Sequence, residues 1–216
     1  MIERAHVLIC SGSNCISRGA KSLRDEFEDN LTRLGIRDEI KLVNTGCVGL
    51  CEQGPFVIVY PEGVFYSQIK NKDIKTICDE HLYKGRVVEK LVFDEALTKD
   101  KKVRAFDEIK FYSKQTRVAL RNCGLINPDD IEEYIARDGY RGLGKALLEM
   151  TPKEVIDEMI DSGLRGRGGG GFPTGVKWNF AYNQVNDQKY MICNADEGDP
   201  GAFMDRALLE GDPHSI

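Results

Sequence analysis

In the first 85 residues, short apolar runs typical of strands lie between segments in which apolar side chains have the spacing of a helix. Apolar side chains recur every three or four positions across residues 18–34, which predicts a helix that ends at Gly35. A second helix is predicted from Asn71, its cap, with an apolar face that includes Ile74 and Leu82. Short apolar runs predict four strands, at residues 3–9, 39–43, 55–60 and 63–69. The order β-α-β-β-β-α predicts a compact α/β unit.

The pattern changes after residue 85. Charged and irregular sequence, including the run KDKK, predicts a linker over residues 86–127. Helices are predicted next, at residues 128–137, 142–150 and 152–162. Asn127 is the expected cap of the first, and Thr151 forms a capping box with Glu154 at the start of the third. A short buried strand is predicted at residues 189–193. The predicted organisation is a first domain over residues 1–85, a helical linker over 86–127, and a second α/β domain over 128–216.

Composition and charge narrow the class of protein. The chain has 216 residues, of which 41% are hydrophobic and 30% charged, so it can build one large core or two small ones. A net charge of -5 argues against a nucleic-acid partner. The longest apolar run has five residues, whereas a membrane-spanning helix needs about 20. The N-terminus has no signal-peptide core. We therefore expect a cytoplasmic protein that binds neither nucleic acid nor a membrane.

Four of the seven cysteines form two closely spaced pairs. Cys10 and Cys15 are separated by four residues, Cys47 and Cys51 by three, and each pair follows a predicted strand. Loops at the ends of neighbouring strands lie side by side, so the four thiolates are expected to converge. Without a secretion signal, a metal site is favoured over a disulfide framework. The spacing suits a [2Fe–2S] cluster, with zinc and unligated or disulfide-forming thiols as the alternatives.

The other cysteines and the histidines are assigned structural roles. Cys78 lies on the buried face of a predicted helix and is expected to be a packed thiol. Cys123 is expected in the core or partly exposed, and Cys193 in the core of the last predicted strand. The three histidines, His6, His81 and His214, have no partner at metal-binding spacing.

The motifs CSGSNC and TGCVGLC resemble the thioredoxin-like [2Fe–2S] ferredoxin module. The resemblance covers residues 1–85. It implies that Cys10, Cys15, Cys47 and Cys51 ligate a [2Fe–2S] cluster. The module also occurs as a separate subunit, so it leaves the function of the whole protein open.

The run GLRGRGGGGFPTG holds seven glycines in thirteen residues, from 163 to 175. It contains G-x-G-x-x-G, but a predicted helix precedes it where a Rossmann site requires a strand. Two arginines and the following VKWNF argue against a plain linker. Glycine N–H groups, a helix starting near Thr174 and the charge of Lys177 predict a cradle for phosphate and sugar. Phe172, Trp178 and Phe180 are candidates for stacking on a ring system.

A second stretch, CNADEGDPGAFMDR, follows the last predicted strand. Its residues Asn194, Asp196 and Glu197 suit the hydroxyl groups of a ribityl or ribose unit. A solvated acidic loop is the alternative. The regular ligand spacing of a magnesium or calcium loop is absent from the sequence.

Together these two stretches resemble the flavoprotein that binds FMN and NADH in respiratory complex I and its soluble relatives. Those relatives include NAD-linked [FeFe]-hydrogenases and NAD-dependent formate dehydrogenases. The resemblance covers residues 128–216 and implies FMN contacts at Gly166, Arg167, Gly168, Gly169, Gly170, Gly171, Lys177, Asn194, Asp196 and Glu197. Phe172 and Phe180 match positions associated with NADH. No side chain is expected to act as a catalytic acid or base.

The EGDP form of the acidic motif, and its fusion to a ferredoxin-like module, resemble the β-subunit of NAD-linked, electron-bifurcating [FeFe]-hydrogenases. At Gly198 and Asp199 many complex I members have serine and glutamate, so nucleotide contacts are not carried over there. The implied function is hydride exchange between NAD(H) and FMN, followed by electron transfer through iron–sulfur clusters. The implied partners are a hydrogenase catalytic subunit and a small [2Fe–2S] subunit. A formate dehydrogenase flavoprotein and a non-catalytic metal-binding docking module are the alternatives.

Length is the main departure from this family. Its members continue past the motif DPH with the rest of the flavin site and a [4Fe–4S] domain. The chain is therefore expected to be an N-terminal portion of such a subunit, with an incomplete FMN domain.

Overall fold

The structure is a computed structural model that describes residues 3–93 and 108–216. The middle of the predicted linker, including KDKK, lies outside the described residues. Packing divides the chain into two compact units, Met1–Tyr134 with Glu197–Ile216 and, separately, Ile135–Asp196. This division differs from the predicted boundaries at residues 85 and 127, because later segments pack with the first 85 residues.

The elements of the first 93 residues follow the predicted order β-α-β-β-β-α. The strands are β1 (Ala5–Cys10), β2 (Ile40–Thr45), β3 (Val57–Tyr60) and β4 (Val64–Tyr66). The helices along the whole described chain are α1 (Ser13–Ser17), α2 (Ala20–Leu34), α3 (Asn71–Thr76), α4 (Lys110–Ser113), α5 (Ile131–Ile135), α6 (Arg141–Glu149), α7 (Pro152–Asp161), α8 (Thr174–Tyr182) and α9 (Met204–Gly211). Across the described parts of the chain, every helix falls short of the length and apolar content that crossing a bilayer requires.

One four-stranded sheet organises the first unit, with strand order β2-β1-β3-β4. Strand β1 runs parallel to β2 in a register that pairs Ala5 with Ile40 and Cys10 with Thr45. Strand β3 is antiparallel to both β1 and β4. Because β1 and β2 are parallel, their carboxyl ends meet at the same edge of the sheet, and the two cysteine loops leave from that edge.

Alternate residues of β1 enter two different cores, as the two-residue period of a strand requires. Val7 and Ile9 pack with buried side chains of α2 and of the helical segment after β4. Leu8 and Cys10 face the other side, in a cluster that also contains Tyr112. The sheet therefore separates a purely structural core from the core that carries the cysteine loops.

Helix α2 confirms the expected apolar face, since Leu23, Phe27 and Leu31 are buried against the sheet. The second helix differs at its start. Lys70, not Asn71, occupies the cap position, and its N–H donates to the Asp73 carboxylate at 3.1 Å. The helix then continues as a π-helical segment over Ile77–Tyr83, which keeps Cys78 buried.

The second helical region also departs from the prediction at one cap. Helix α5 begins at Ile131, because the Asp130 carboxylate accepts from the N–H groups of Glu132 and Glu133, so Asn127 is not its cap. At α7 the predicted capping box is confirmed: the Thr151 N–H donates to Glu154 at 2.7 Å.

The strand predicted at residues 189–193 does not form. The described structure there is irregular, and Tyr190, Met191 and Ile192 are each at least 80% exposed. Cys193 is exposed as well, so its assignment to a core was wrong. The apolar run suits a strand, but none of the described strands pairs with it, and a strand needs a neighbour to satisfy its backbone.

Candidate functional site

The four paired cysteines lie around one end of the first unit. Cys10 is the last residue of β1 and pairs in register with Thr45, two residues before Cys47. Cys15 lies in α1, and Cys51 begins a short 3₁₀ turn over Cys51–Gln53. The convergence that the sequence predicted follows from the parallel pairing of β1 and β2, which places the two loops side by side.

The four cysteines are close enough to shift one another's pKa. Hydrogen bonds to the thiols of Cys15 and Cys47, together with burial, raise the pKa of Cys10. The same contact lowers the pKa of Cys47 to about 6, and a hydrogen bond from the Gly49 N–H at 3.4 Å adds to the effect. Burial and the neighbouring Cys47 raise the pKa of Cys51. The site therefore favours thiolate at Cys47, and thiolate is the form that binds metal.

Two glycines leave room for the sulfur atoms. A Cβ at Gly54 would stand 2.5 Å from Cys15 Sγ, and a Cβ at Gly12 would stand 3.0 Å from Cys47 Cβ. Any larger residue at either position would collide with a ligand side chain. The close approach of the two loops to the cysteine side chains therefore requires glycine at both positions.

Among residues 3–93 and 108–216, no three His, Cys, Asp or Glu side chains converge on a point that would hold a single metal ion. A [2Fe–2S] cluster makes a different demand, because its four thiolates are shared between two irons. Cys10, Cys15, Cys47 and Cys51 could supply these four thiolate ligands.

Arg18 is a residue of this site that the spacing of cysteines did not reveal. Its guanidinium donates to the carbonyl oxygens of Cys51, Glu52 and Gly54 at 3.1, 3.1 and 2.9 Å. It also lowers the pKa of Cys15, where the largest effect is the hydrogen bond from Cys10. Arg18 thus ties the second cysteine loop to the segment after the first.

A cavity of about 300 Å³ opens beside three of the thiols. It is lined by residues of both cysteine loops and by the segment around α9: Gly12, Ser13, Asn14, Cys15, Cys47, Cys51, Gly201, Ala202, Phe203, Arg206, Ala207 and Glu210. Sequence periodicity did not predict α9, and its position beside the cysteines depends on contacts between distant segments.

Close backbone contact seats the end of α9 against the second cysteine loop. A Cβ at Gly46 would stand 2.3 Å from the Gly211 Cα, and a Cβ at Gly211 would stand 2.6 Å from Cys123 Sγ. Beside this contact, the buried Asn122 amide donates to the Asp212 carboxylate at 2.8 Å. Cys123 is therefore a core residue, and burial raises its pKa to about 11.

Cys78 and His81 are both buried, in agreement with the structural roles predicted for them. Burial raises the pKa of Cys78 to about 12, as expected for a packed thiol. His81 is buried, and its Nδ1 shares a 2.8 Å hydrogen bond with the Tyr66 hydroxyl.

The glycine loop of the second unit is closed at its base. The Gly166 N–H donates to the Phe172 carbonyl, and the Thr174 N–H donates to the Leu164 carbonyl, both at 2.9 Å. Gly169 and Gly171 have positive φ values of 96° and 57°, which other residues rarely adopt. The loop is exposed, and it leads directly into α8 at Thr174, as predicted.

Helix α8 is held against α7 by a glycine. A Cβ at Gly175 would stand 2.5 Å from the Ile160 backbone nitrogen, so only glycine allows this approach. Lys177 lies in the first turn of α8 with an exposed side chain. The helix N-terminus and Lys177 therefore place positive charge beside the glycine loop, which suits an anion such as a phosphate.

The other predicted cofactor contacts divide between the two units. Phe172 and Phe180 lie in the second unit, half exposed, with ring centroids 6.3 Å apart. Asn194 and Asp196 also belong to it, and the Asn194 side chain accepts from the Asp196 N–H at 3.1 Å. Glu197 belongs to the first unit, where its carboxylate accepts from the N–H groups of Asp205 and Arg206 at 2.6 and 3.0 Å, in the first turn of α9. The cofactor contacts of all these residues stay a prediction.

Two protein families match the chain. The thioredoxin-like [2Fe–2S] ferredoxin family matches residues 2–82, and the Nuo51 FMN-binding domain family matches residues 159–216. The protein in a solved structure of a thioredoxin-like [2Fe–2S] ferredoxin from Aquifex aeolicus is 32% identical, covering 43% of this chain and 92% of that one, with a TM-score of 0.39.

Longer relatives match about half of the chain or nearly all of it. The HndC protein of the NADP-reducing hydrogenase of Solidesulfovibrio fructosivorans is 65% identical over 48% of this chain and 21% of its own length. The alpha subunit of the NAD-reducing hydrogenase HoxS of Cupriavidus necator is 29% identical over 97% of this chain and 33% of its own. One component of the NADH-quinone oxidoreductase of Aquifex aeolicus is 56% identical over 50% of this chain and 25% of its own.

The chain thus spans between a fifth and a third of the length of these relatives. The two family descriptions name a [2Fe–2S] cluster and FMN, in agreement with the cysteine site and the glycine loop. The chain therefore joins a segment that matches the thioredoxin-like [2Fe–2S] ferredoxin family, residues 2–82, to a segment that matches the Nuo51 FMN-binding domain family, residues 159–216.

Proposed function

We propose that the chain is part of an electron-transfer subunit that exchanges hydride between NAD(H) and FMN and passes electrons to a partner protein. In this proposal residues 1–85 form the cluster domain, residues 86–127 link the domains, and residues 128–216 begin the FMN and NADH domain. The observation that carries the proposal is the convergence of four cysteine thiols in one chain with a closed glycine loop that leads into a helix N-terminus.

The cysteine site supplies the one-electron part of this function. When bound, the [2Fe–2S] cluster accepts and releases single electrons, whereas FMN connects that chemistry to the two-electron chemistry of a nicotinamide. Cys10, Cys15, Cys47 and Cys51 would hold the cluster, and Arg18 holds the second cysteine loop in place.

The glycine loop supplies the flavin part. Its backbone N–H groups and the N-terminus of α8 would bind the FMN phosphate, with the charge of Lys177 beside them. Phe172 and Phe180 would contact the nicotinamide nucleotide. The residues bind and orient the cofactor, and no protein acid or base is needed for transfer of a hydride.

A hydrogenase is the complex that we favour, because the HndC and HoxS relatives are subunits of NAD(P)-linked hydrogenases. The proposed partners are a hydrogenase catalytic subunit and a small [2Fe–2S] subunit, in the cytoplasm. We further propose that the complex is electron-bifurcating. In that case hydrogen formation from NADH requires reduced ferredoxin in the same assay, and formation of hydrogen from NADH alone would contradict it.

Charge reversal at Lys177 tests the flavin assignment. Lys177→Glu in the holoprotein replaces an attractive charge near the phosphate by a repulsive one, so FMN retention should weaken by more than about tenfold. Lys145→Glu is the matched control, because Lys145 is an exposed lysine on α6 of the same unit. Flavin fluorescence after gel filtration measures the bound fraction. Equal FMN content in the two variants would contradict the assignment.

A further inference from the structure

Tyr112 comes from the predicted linker but lies in the core that carries the cysteines. It belongs to α4, only 8% of it is exposed, and it packs in the same buried cluster as Cys10 and Cys15. Its hydroxyl is a polar group in a core where the side chains around the thiols are otherwise apolar. Neither the cysteine motifs nor the glycine loop accounts for that group.

The Tyr112 hydroxyl lies at the loop that carries Cys47. It stands 3.7 Å from the position that a Cβ on Gly49 would occupy. Gly49 has a φ of 86°, and its N–H donates to Cys47 Sγ at 3.4 Å. The hydroxyl is therefore beside the same short segment that already supplies one hydrogen bond to a ligand sulfur.

The electrostatic surroundings keep this hydroxyl protonated. Burial raises the pKa of Tyr112; the Arg117 guanidinium opposes the rise, and the thiols of Cys47, Cys10 and Cys51 add to it. Arg117 lies 5.2 Å from the centre of the tyrosine ring and donates to the Cys123 carbonyl at 2.9 Å. A protonated phenol at this loop can act as a hydrogen-bond donor.

We propose that the Tyr112 hydroxyl is an outer hydrogen-bond donor to the [2Fe–2S] cluster on its Cys47 side and that it raises the reduction potential of the cluster. Reduction adds negative charge to the cluster and its sulfur ligands, and a donor to sulfur stabilises the reduced form more than the oxidised form. The inference rests on the proposed electron-transfer function, and it assigns part of the control of that function to a residue outside the ferredoxin motif.

The test compares two tyrosine-to-phenylalanine variants of the full chain. Tyr112→Phe keeps the ring and removes the hydroxyl, and we expect the equilibrium constant for one-electron reduction to fall about tenfold, a shift of about 59 mV to more negative potential. Tyr66→Phe removes a hydroxyl that is also buried but is bonded to His81 and the Val88 N–H in the other core. The reduction potential of the cluster in Tyr66→Phe should equal that of the wild type. EPR-monitored redox titration measures both.

A third variant tests the proposal even if Tyr112→Phe folds poorly. 3-Fluorotyrosine at position 112 keeps the ring and the hydroxyl but makes the phenol a stronger donor, so the potential should rise. An unchanged potential in both Tyr112 variants, with iron and sulfide retained, would overturn the inference and leave the electron-transfer proposal intact. Absence of iron and sulfide from the wild-type chain would instead overturn the cluster itself.

Discussion

Gly54 offers a direct test of how closely the fold surrounds the cluster ligands. Its backbone has φ -76° and ψ 161°, which alanine adopts without strain. Gly54→Ala therefore changes the space beside Cys15 and leaves the backbone preference alone. The new Cβ would lie 2.5 Å from Cys15 Sγ, whereas ordinary contact begins at 3.4 Å, a shortfall of about 0.9 Å.

That shortfall has two consequences. Overpacking of this kind costs about 1–3 kcal/mol of stability, part of it through displaced backbone. The Cys15 thiol must also move by a distance that is large compared with the tolerance of a metal–ligand bond, about 0.2 Å. We expect Gly54→Ala to fold but to hold less iron and to lose it faster to a chelator.

Gly144→Ala is the matched control. Nothing lies within 4 Å of a Cβ at Gly144, and the residue is inside α6, where alanine favours the helix by about 1 kcal/mol. Iron content, acid-labile sulfide and chemical denaturation are measured on both variants. Equal iron content and equal stability in Gly54→Ala and the wild type would refute the close approach on which the site description depends.

Two further predictions concern the same loops. Arg18→Gln removes donors to three carbonyl groups. Because the arginine is exposed, we expect the free energy of unfolding in urea to fall by only about 1 kcal/mol, and we expect the cluster to be released faster. Unchanged release kinetics would contradict the tie between the loops. In cluster-free protein, alkylation of Cys47 should persist down to a pH of about 6 and be lost below it, because its lowered pKa keeps the thiolate in acid where an ordinary cysteine is protonated. Peptide mass spectrometry after labelling across pH measures this, and a midpoint near that of an unperturbed thiol would contradict it.

The first domain was predictable because its signals are local. Alternating and helical periods located β1, α2 and β2, and the motif spacing then identified Cys10 and Cys47 at the ends of strands that proved to be parallel. The capping box at Thr151 was equally local, since it needs only two residues three positions apart.

The contacts made by distant segments were not predictable in this way. The position of α9 beside the cysteines, and of Tyr112 beside Gly49, depends on how chain segments more than fifty residues apart pack together. The strand expected at residues 189–193 was predicted but does not form. An apolar run forms a strand only where a neighbouring strand supplies its hydrogen bonds.

The content of iron and acid-labile sulfide in anaerobically purified protein tests the central claim most directly. If Cys10, Cys15, Cys47 and Cys51 hold a [2Fe–2S] cluster, the 216-residue chain should contain about two irons and two sulfides, and Cys47→Ser should lose most of both. Cys78→Ser is the control, since Cys78 is buried in the other core and should leave the content unchanged. One zinc per chain with no sulfide would contradict the account.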